Sequence, residues 1–306
     1  MKAAGVRDFG ASVELLDLPD PRPPRADEVL IAVRAAAVAA WDDVVRTGSW
    51  DVGGKPPMAL GVAAAGVVTA VGEGVAGIEA GVLVATHSVP LRDQGTWAQA
   101  LLVPASDVAP VPQGVSAEAA AVAAVPALTA DQALVDALGV QPGQTVLVTG
   151  AGGVTGGIAV QLAVSYGARV IATASADSAN RVYALGARTV ADYRQPGWPA
   201  HICELTGGVD AAVNAAPGGA AEAAITVRDG GRLATITGDP PQPGRGIEVA
   251  SVYVTANGPR LARLLTLLAA GTLTIEVAAR HPLEEAAAAL EEARHGTHGA
   301  GVVLIP

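Results

Sequence analysis

The sequence predicts an α/β protein of two domains, one of which is built on a doubly wound parallel sheet. Two observations support this prediction. In the second half of the chain, short apolar strands alternate with helical segments, beginning with the run TVLVTGAGGVTG at residues 145–156. In the first third and at the end of the chain, short strand-like runs separated by turns indicate a second, mainly β domain.

Residues 1 to about 110 are typical of an all-β module, for which a closed or partly closed barrel is expected. Turns separate five predicted strands, namely Lys2–Arg7, Val29–Ala36, Ala65–Val71, Gly81–Ala85 and Ala98–Val103. The tail after Asn257 is predicted to return to this module. Its elements are a helix at Pro259–Ala270, a strand at Leu273–Ala278, a helix at Leu283–Arg294 and a strand at Val302–Ile305.

Between these two parts the pattern changes to helices and strands in alternation. Ala117–Val140 is predicted to form two helices that are broken at Pro126. Six strands and four helices follow, the strands at 146–149, 169–174, 188–191, 209–213, 231–236 and 247–253 and the helices near 156–166, 178–185, 197–206 and 219–228. Six strands with intervening helices describe a doubly wound sheet.

Three glycines with a spacing of three residues follow the first of these strands, and they predict a dinucleotide site. Strand, glycine turn and helix are the order that such a site needs, because the turn lets a pyrophosphate approach the main chain and the helix N-terminus stabilises its charge. The predicted pyrophosphate seat consists of Gly150, Gly153, Val154 and Gly156. A tight structural turn is the alternative.

Composition limits the partners and the compartment. The chain has 29 acidic and 19 basic residues and a net charge of -10, which argues against a nucleic-acid or anionic-membrane surface. With Cys203 as the only cysteine, neither an intrachain disulfide nor a thiolate zinc cluster can form. The N-terminus lacks an apolar signal-peptide core and no uninterrupted apolar window is long enough to span a membrane, so we expect a cytoplasmic protein without a membrane partner.

Seven segments, in this order, carry a resemblance to a known family. They are Ala35–Gly48 (AAAVAAWDDVVRTG), Leu60–Gly74 (LGVAAAGVVTAVGEG), Gly95–Pro104 (GTWAQALLVP), Leu128–Leu134 (LTADQAL), Val146–Ala163, Leu185–Ala187 (LGA) and Pro282–Ala289 (PLEEAAAA). Together they resemble the medium-chain dehydrogenase/reductase superfamily, specifically its zinc-free quinone oxidoreductase branch. The resemblance implies a GroES-like β-barrel catalytic domain (residues 1–118 with 258–306) and a Rossmann domain (119–257). It also implies hydride transfer from NADPH and a homodimer formed through edge strands of the nucleotide domains.

The metal question can be checked against the residues. Zinc-dependent relatives carry a His-Glu pair just after the glycine of the LG element, whereas Val62 and Ala63 follow Gly61 here. Cys203 lies within the nucleotide domain, away from any such pair. We therefore predict that the protein has no metal site.

The choice between the two nicotinamide cofactors depends on the end of the second nucleotide-domain strand. NAD sites usually place a carboxylate there, but this strand ends in Ala174-Ser175. By resemblance, Ser175 and Tyr193 contact the 2′-phosphate of NADPH, and Arg181 is a further candidate cation. Two alternatives stay open, since Asp177 could turn toward a ribose and Arg181 could lie on a solvated helix face. NADPH is the predicted cofactor.

The substrate cleft departs from the family pattern. The usual Asn-Pro-x-Asp motif reads Ala39-Ala40-Trp41-Asp42, so the amide side chain is absent. The candidate cleft residues are Trp41, Asp42, His87, Trp97, Thr129, Asn214 and Asn257. Of these, Trp41, Asp42, His87 and Thr129 are the catalytic candidates, and Asn214 and Asn257 are assigned to the cofactor.

Each catalytic candidate has a structural alternative. Trp41 could stack on a flat substrate or pack in the barrel, and Asp42 could pair with Arg46 four residues on. His87 could donate a proton or lie in a surface loop, and Thr129 could be a helix N-cap.

The predicted function is an NADPH-dependent, zinc-free reductase that transfers hydride to the double bond of a conjugated carbonyl compound or to a quinone. The altered cleft motif suggests a specialised substrate, such as a polycyclic, polyketide-like intermediate that is reduced with ring closure. A non-catalytic NADPH-binding sensor or structural protein is the competing hypothesis, which the loss of the amide would suit.

Overall fold

A computed structural model describes residues 1–91, 94–242 and 244–306 of the chain. These residues form two compact units, the first comprising Met1–Leu128 and Thr255–Pro306 and the second Thr129–Val254. Because the first unit is assembled from both ends of the chain, the tail joins the N-terminal module.

Short strands dominate both units. In chain order they are β1 (Lys2–Val6), β2 (Glu14–Asp17), β3 (Glu28–Val38), β4 (Met58–Ala59), β5 (Ala63–Val71), β6 (Leu83–His87), β7 (Ala100–Pro104), β8 (Val108–Pro110), β9 (Thr145–Thr149), β10 (Arg169–Ala174), β11 (Thr189–Asp192), β12 (Val209–Asn214), β13 (Val227–Thr235), β14 (Glu248–Ser251), β15 (Val277–Pro282) and β16 (Gly301–Ile305).

The helices lie mostly in the second half of the chain. They are α1 (Trp41–Arg46), α2 (Ala117–Asp131), α3 (Val154–Ser165), α4 (Ala176–Ala184), α5 (Trp198–Thr206), α6 (Ala220–Thr226), α7 (Gly258–Ala269) and α8 (Ala286–His295). A π-helical turn follows α2 at Gln132–Ala137, and 3₁₀ turns occupy Ala105–Asp107 and Leu283–Glu285.

The second unit contains a six-stranded parallel sheet in the order β11-β10-β9-β12-β13-β14. The strand order therefore reverses direction between β9 and β12, and this confirms the predicted doubly wound sheet. One core cluster joins Leu147, Ile171 and Leu233 of the strands to Ile202 of α5, all of them buried. In sheets of this kind, ligands bind at the carboxyl ends of the strands beside the reversal.

The first unit is built around β3, the longest strand. β3 pairs antiparallel with β5, β7 and β16, while β6, β8 and β15 extend the same sheet. A second sheet has the order β2-β1-β4. The sequence pattern did not predict β2, β4 or β8, because runs of two to four residues are too short to show an alternation. The strand predicted at Leu273–Ala278 lies instead at Val277–Pro282.

The predicted break at Pro126 is wrong, because α2 continues through this proline from Ala117 to Asp131. Val125 and Ala127 on either side are buried, so packing offsets the hydrogen bond that proline cannot donate. Among the described residues, the helical stretch Ala117–Ala137 is long and apolar enough to cross a membrane by length and composition alone. Since 83% of its most apolar window is buried inside the protein, its hydropathy is that of a core helix.

Candidate functional site

The glycine turn joins β9 to α3 at the point where the strand order reverses. Gly150 has a φ of +65°, and a Cβ atom there would lie 2.7 Å from the backbone of Ala215. A Cβ on Gly156 would lie 2.2 Å from the carbonyl oxygen of Gly150. Because no side chain can occupy either space, the fold itself requires the first and third glycines.

The middle glycine has a different environment. Gly153 occupies the N-cap position of α3, and the nearest atom to an added Cβ would be the Gly150 oxygen at 3.5 Å, an ordinary contact. Having no side chain, Gly153 cannot cap the first-turn amides of α3, which begins at Val154. Internal packing therefore does not require a glycine here. The space that a Cβ would fill is available to a phosphate group. A pyrophosphate fits this seat.

Hydrogen bonds from neighbouring elements hold the turn. The Ala151 amide donates to the Thr173 carbonyl at 3.1 Å, and the Gly153 amide donates to the Gly150 carbonyl at 3.0 Å. The Arg181 guanidinium of α4 donates to the Gly152 carbonyl at 2.6 Å. The alternative in which Arg181 lies on a solvated helix face is therefore wrong. This arginine supports the loop.

Two predicted 2′-phosphate ligands stand at the ends of adjacent strands. Ser175 directly follows β10 and precedes α4, and its hydroxyl lies 3.4 Å from that of Ser178. The register pairs Ala174 with Asp192, which places Ser175 and Tyr193 one position beyond the paired residues. Tyr193 is 49% exposed. Asp177 lies exposed in the first turn of α4, so its alternative role stays open.

Asn214, predicted to bind the cofactor, lies fully buried at the end of β12. Its Oδ1 accepts from the Thr149 hydroxyl at 2.6 Å and from the Ala216 amide at 3.2 Å. Its Nδ2 donates to the hydroxyls of Thr235 at 3.1 Å and Thr237 at 2.8 Å. Since protein groups occupy both ends of this amide, Asn214 positions the strand ends around it.

Asp239 completes this network and was not predicted from the sequence. It accepts from the Thr235 and Thr237 hydroxyls and from Nδ2 of Asn214. Partial burial alone would raise the pKa of Asp239, but the hydroxyls of Thr237 and Thr235 and the Ala220 amide together lower it. The signal was present, since two threonines and an acid lie at the end of a buried strand in the run TITGD.

In the first unit, α1 and the end of β6 lie at one edge of the main sheet. The register pairs Ala36 with Ala64 and Ala64 with Thr86. The end of β3, which leads into α1, therefore lies at the same end of the sheet as the start of β5 and as His87. This arrangement brings Trp41, Asp42 and His87 to the same end of the unit. Trp41 is half-buried as the first residue of α1.

Asp42 is 1% exposed and does not pair with Arg46. The predicted pair is wrong because Arg46 Nε donates to Asp43 instead, at 2.7 Å. Asp42 Oδ2 accepts from the Ala39 amide at 2.8 Å, while the buried Oδ1 has no hydrogen-bond partner among the residues that the structure describes. Burial raises the pKa of Asp42 to about 8, although the Ala39 hydrogen bond opposes the rise. At neutral pH the carboxyl group is therefore mostly protonated.

His87 is also 1% exposed, so the surface-loop alternative is wrong. Its Nδ1 lies 3.1 Å from the Val62 carbonyl, which can only accept, so this nitrogen carries the proton. The Ser88 amide donates to the same carbonyl at 2.8 Å. His87 thus holds the segment in which zinc-dependent relatives carry their His-Glu pair.

The contacts of three other candidates, Trp97, Thr129 and Asn257, are those of residues that support the fold. Trp97 is fully buried, and its indole donates to the Ala37 carbonyl at 2.9 Å. Thr129 is buried within α2 and is not an N-cap, because the helix begins twelve positions earlier at Ala117, where the Ser116 hydroxyl accepts from the Ala119 amide. Asn257 caps α7 by accepting from the Arg260 amide at 2.8 Å, and it belongs to the first unit.

The residues do not fit a zinc site of the kind that the family's zinc-dependent members hold. Val62 and Ala63, which take the positions of the His-Glu pair, are buried and offer no side-chain ligand. Among residues 1–91, 94–242 and 244–306, no group of three or more His, Cys, Asp or Glu side chains could hold a metal ion. We derive no chemical step from a metal.

The different surroundings of Gly153 and Gly156 lead to a prediction for the Gly153→Ala variant. We expect it to fold with a free energy of unfolding within about 1 kcal/mol of the wild type, because the new methyl group meets ordinary contacts. It should bind a nicotinamide dinucleotide about tenfold more weakly, since the methyl group occupies the phosphate seat. Fluorescence titration and thermal unfolding measure the two effects.

Gly156→Ala is the matched control, because its methyl group would meet the Gly150 oxygen at 2.2 Å. We expect that variant to lose stability first. If Gly153→Ala were as destabilised as Gly156→Ala, or bound dinucleotide like the wild type, the assignment of the open seat would be wrong.

The buried carboxyl group leads to a pH-dependence prediction. Because the pKa of Asp42 in the folded protein, about 8, exceeds its ordinary value of 3.8, the folded state holds a proton that the unfolded state releases. Asp42 therefore costs the wild type stability as the pH rises from about 4 to 8. Asn cannot ionise, so Asp42→Asn should gain at least about 1 kcal/mol relative to the wild type between pH 5 and 9.

Urea unfolding at several pH values measures this difference. Asp43→Asn, on the same helix, is the control and should differ from the wild type by an amount that stays constant over the same range. Parallel curves for the wild type and Asp42→Asn would contradict the burial argument.

Comparison with known proteins identifies the family. A zinc-binding dehydrogenase family model matches residues 185–304, and an alcohol dehydrogenase GroES-like domain model matches residues 25–113. Among curated proteins, the chain is 34% identical over 201 residues to a probable quinone oxidoreductase of Leishmania amazonensis, covering 65% of the chain and 57% of that protein. It is 34% identical over 215 residues to a highly reducing polyketide synthase of Arthrinium phaeospermum, covering 68% of the chain and 8% of that protein. The match thus spans less than two thirds of either curated relative.

Solved structures match over the full length. An NAD-dependent alcohol dehydrogenase is 32% identical, with a TM-score of 0.87 and complete coverage of both chains. A mycobacterial protein solved in complex with NADPH is 29% identical, with a TM-score of 0.87 and the same coverage. The GroES-like module and the doubly wound sheet are thereby confirmed. The chain belongs to the medium-chain dehydrogenase/reductase superfamily, in its quinone oxidoreductase-like branch.

Proposed function

We propose that the protein is an NADPH-dependent reductase that transfers hydride, without a metal, to the double bond of a conjugated carbonyl compound or to a quinone. The observation that carries this proposal is the open seat at Gly153, at the N-terminus of α3 and at the reversal of strand order. A pyrophosphate placed there puts the rest of a dinucleotide along the carboxyl ends of the strands.

Support for NADPH over NADH comes from the end of β10. Ser175 stands where an NAD site usually has a carboxylate, and the exposed Tyr193 hydroxyl is its neighbour by register. The similar mycobacterial protein binds NADPH. The similar NAD-dependent alcohol dehydrogenase makes NADH the competing cofactor, so both nucleotides belong in any test.

Bound NADPH would supply the hydride, and the residues of the chain would bind, orient and exclude water. The amides of the first turn of α3 would hold the pyrophosphate, and Arg181 fixes the loop that precedes them. Asp42 and His87 are each 1% exposed, so neither reaches the surface where a substrate would lie. Their burial favours solvent as the source of the proton that completes the reduction.

A specialised substrate is the finer part of this proposal. The motif that carries an amide in relatives is Ala39-Ala40-Trp41-Asp42 here, and the half-buried Trp41 offers an aromatic face at the same edge as His87. Such a face suits a flat conjugated compound, including a polycyclic intermediate that closes a ring on reduction. Similarity to a polyketide synthase supports testing enoyl substrates beside quinones.

One observation favours a second function. The amide of the family motif is absent and Asp42 and His87 are buried, so the first unit offers few polar groups to a substrate. A protein that binds NADPH without turnover, as a sensor or structural component, is consistent with that arrangement.

The test measures NADPH binding by fluorescence titration and NADPH consumption by absorbance, with a panel of quinones and enones. We expect binding in the micromolar range and turnover with at least one panel member, and a lower rate with NADH. Gly153→Ala is the control variant. Binding without turnover would favour the second function, and no binding of either nucleotide would exclude both.

We also propose a homodimer formed through the outer edge of β14, which pairs with no further strand among residues 1–91, 94–242 and 244–306. This strand pairs with β13 on one side. Ile225 of α6, which lines one pocket with Val249 of β14, is 55% exposed, and Tyr253, two residues after the strand, is 71% exposed. Apolar side chains this exposed beside an edge strand suit a second copy of the chain. A cytoplasmic location stays a prediction of the sequence.

Sizing chromatography with light scattering tests the dimer. We expect twice the 30.2 kDa of one chain, and a shift toward monomer for Ile225→Asp. A monomeric wild type would contradict the proposal.

A further inference from the structure

We propose that Arg194 is the cation that recognises the 2′-phosphate of NADPH and so sets the preference for NADPH over NADH. This inference rests on the proposed function and names a residue that the sequence did not single out. It follows from the place of Arg194 at the edge of the sheet, from its contacts and from the engagement of Arg181 elsewhere.

The register of the outer strands places Arg194 near the ribose end of the site. β10 and β11 pair in parallel up to Ala174 and Asp192, and the chain then leaves the sheet at Ser175 and at Tyr193. Because neighbouring strands lie about 4.8 Å apart, the two hydroxyl-bearing residues are within reach of one phosphate group. Arg194 follows Tyr193 directly.

Contacts within the loop orient the arginine. Its guanidinium carbon lies 5.5 Å from the centre of the Tyr193 ring, a cation–π arrangement. Its backbone amide donates to Asp192 Oδ1 at 2.9 Å, which turns the chain out of the strand. Stacking on the ring restricts the guanidinium before any ligand arrives, which lowers the entropy lost on binding.

Arg181, the cation proposed from the sequence, has a different task. Its guanidinium donates to the Gly152 carbonyl at 2.6 Å, within the pyrophosphate loop that NADH and NADPH share. Removing Arg181 should therefore weaken both nucleotides alike. A residue that distinguishes the two must act at the 2′ position, which in dinucleotide-binding sheets lies at the end of the second strand, here β10 beside β11.

The carboxylates near the ends of β10 and β11 would repel a 2′-phosphate dianion, so its binding there requires the positive charge of Arg194. Asp177 and Asp192 are the carboxylates near the ends of these strands, and Asp192 Oδ1 is already engaged by the Arg194 amide. A guanidinium can bind phosphate with two parallel hydrogen bonds, and the Ser175 and Tyr193 hydroxyls can supply further donors. The ribose hydroxyl of NADH gives Arg194 no anion to bind.

The experiment compares the dissociation constants of NADPH and NADH for the wild type and four variants. We expect Arg194→Ala to weaken NADPH by about 10- to 100-fold and NADH by less than about twofold. Arg194→Lys should restore part of the NADPH affinity. Arg181→Ala should weaken both nucleotides by a similar factor.

Arg188→Ala is the matched control, because this exposed arginine lies just before the amino end of β11 and its loss changes the net charge equally. It should leave both dissociation constants unchanged. If Arg194→Ala weakened both nucleotides equally, or neither, the inference would be overturned while NADPH binding by the wild type still supported the proposed function. A wild type that bound neither nucleotide would overturn both.

Discussion

The close approach of α3 to the end of β9 is the constraint on which the second unit depends. Gly156 lies so near the Gly150 carbonyl that a single methyl group would not fit, and a methyl group on Gly150 would likewise lie only 2.7 Å from the backbone of Ala215, just after β12. These two contacts bring strand, turn, helix and the neighbouring strand into one rigid junction. The helix N-terminus consequently points at a fixed place on the carboxyl edge of the sheet, where a negative charge is stabilised.

The polar residues along that edge divide into two groups. On the inner strands, Thr149, Asn214 and Thr235 use their hydrogen-bonding groups on one another and on Asp239. A buried network of this kind fixes geometry, because leaving any member without a partner would cost free energy. On the outer strands, Tyr193 and Arg194 are exposed and stack on each other. Recognition of a ligand can therefore vary at the outer strands without disturbing the inner ones.

In the first unit, the polar candidates Asp42 and His87 offer little charge to a substrate. The segment that would carry metal ligands is apolar at Val62 and Ala63, and His87 is used to hold its backbone. One buried oxygen of Asp42 has no hydrogen-bond partner in the described part of the chain, and its carboxyl group is mostly neutral at pH 7. Under the proposed function, such a unit would shape the substrate site and leave the hydride to the cofactor and the proton to solvent.

Periodicity and glycine spacing alone determined the doubly wound sheet, the glycine turn after its first strand and the order of the two modules, because these depend on local patterns in the sequence. The tertiary structure decided how individual side chains are used. Arg46 donates a hydrogen bond to Asp43, Arg181 donates to the glycine loop, and His87 donates to a carbonyl 25 residues earlier in the chain. It also kept α2 helical through Pro126. The reason is physical: the partner of a polar group and the depth of its burial are set by residues distant in the chain, which no local pattern records.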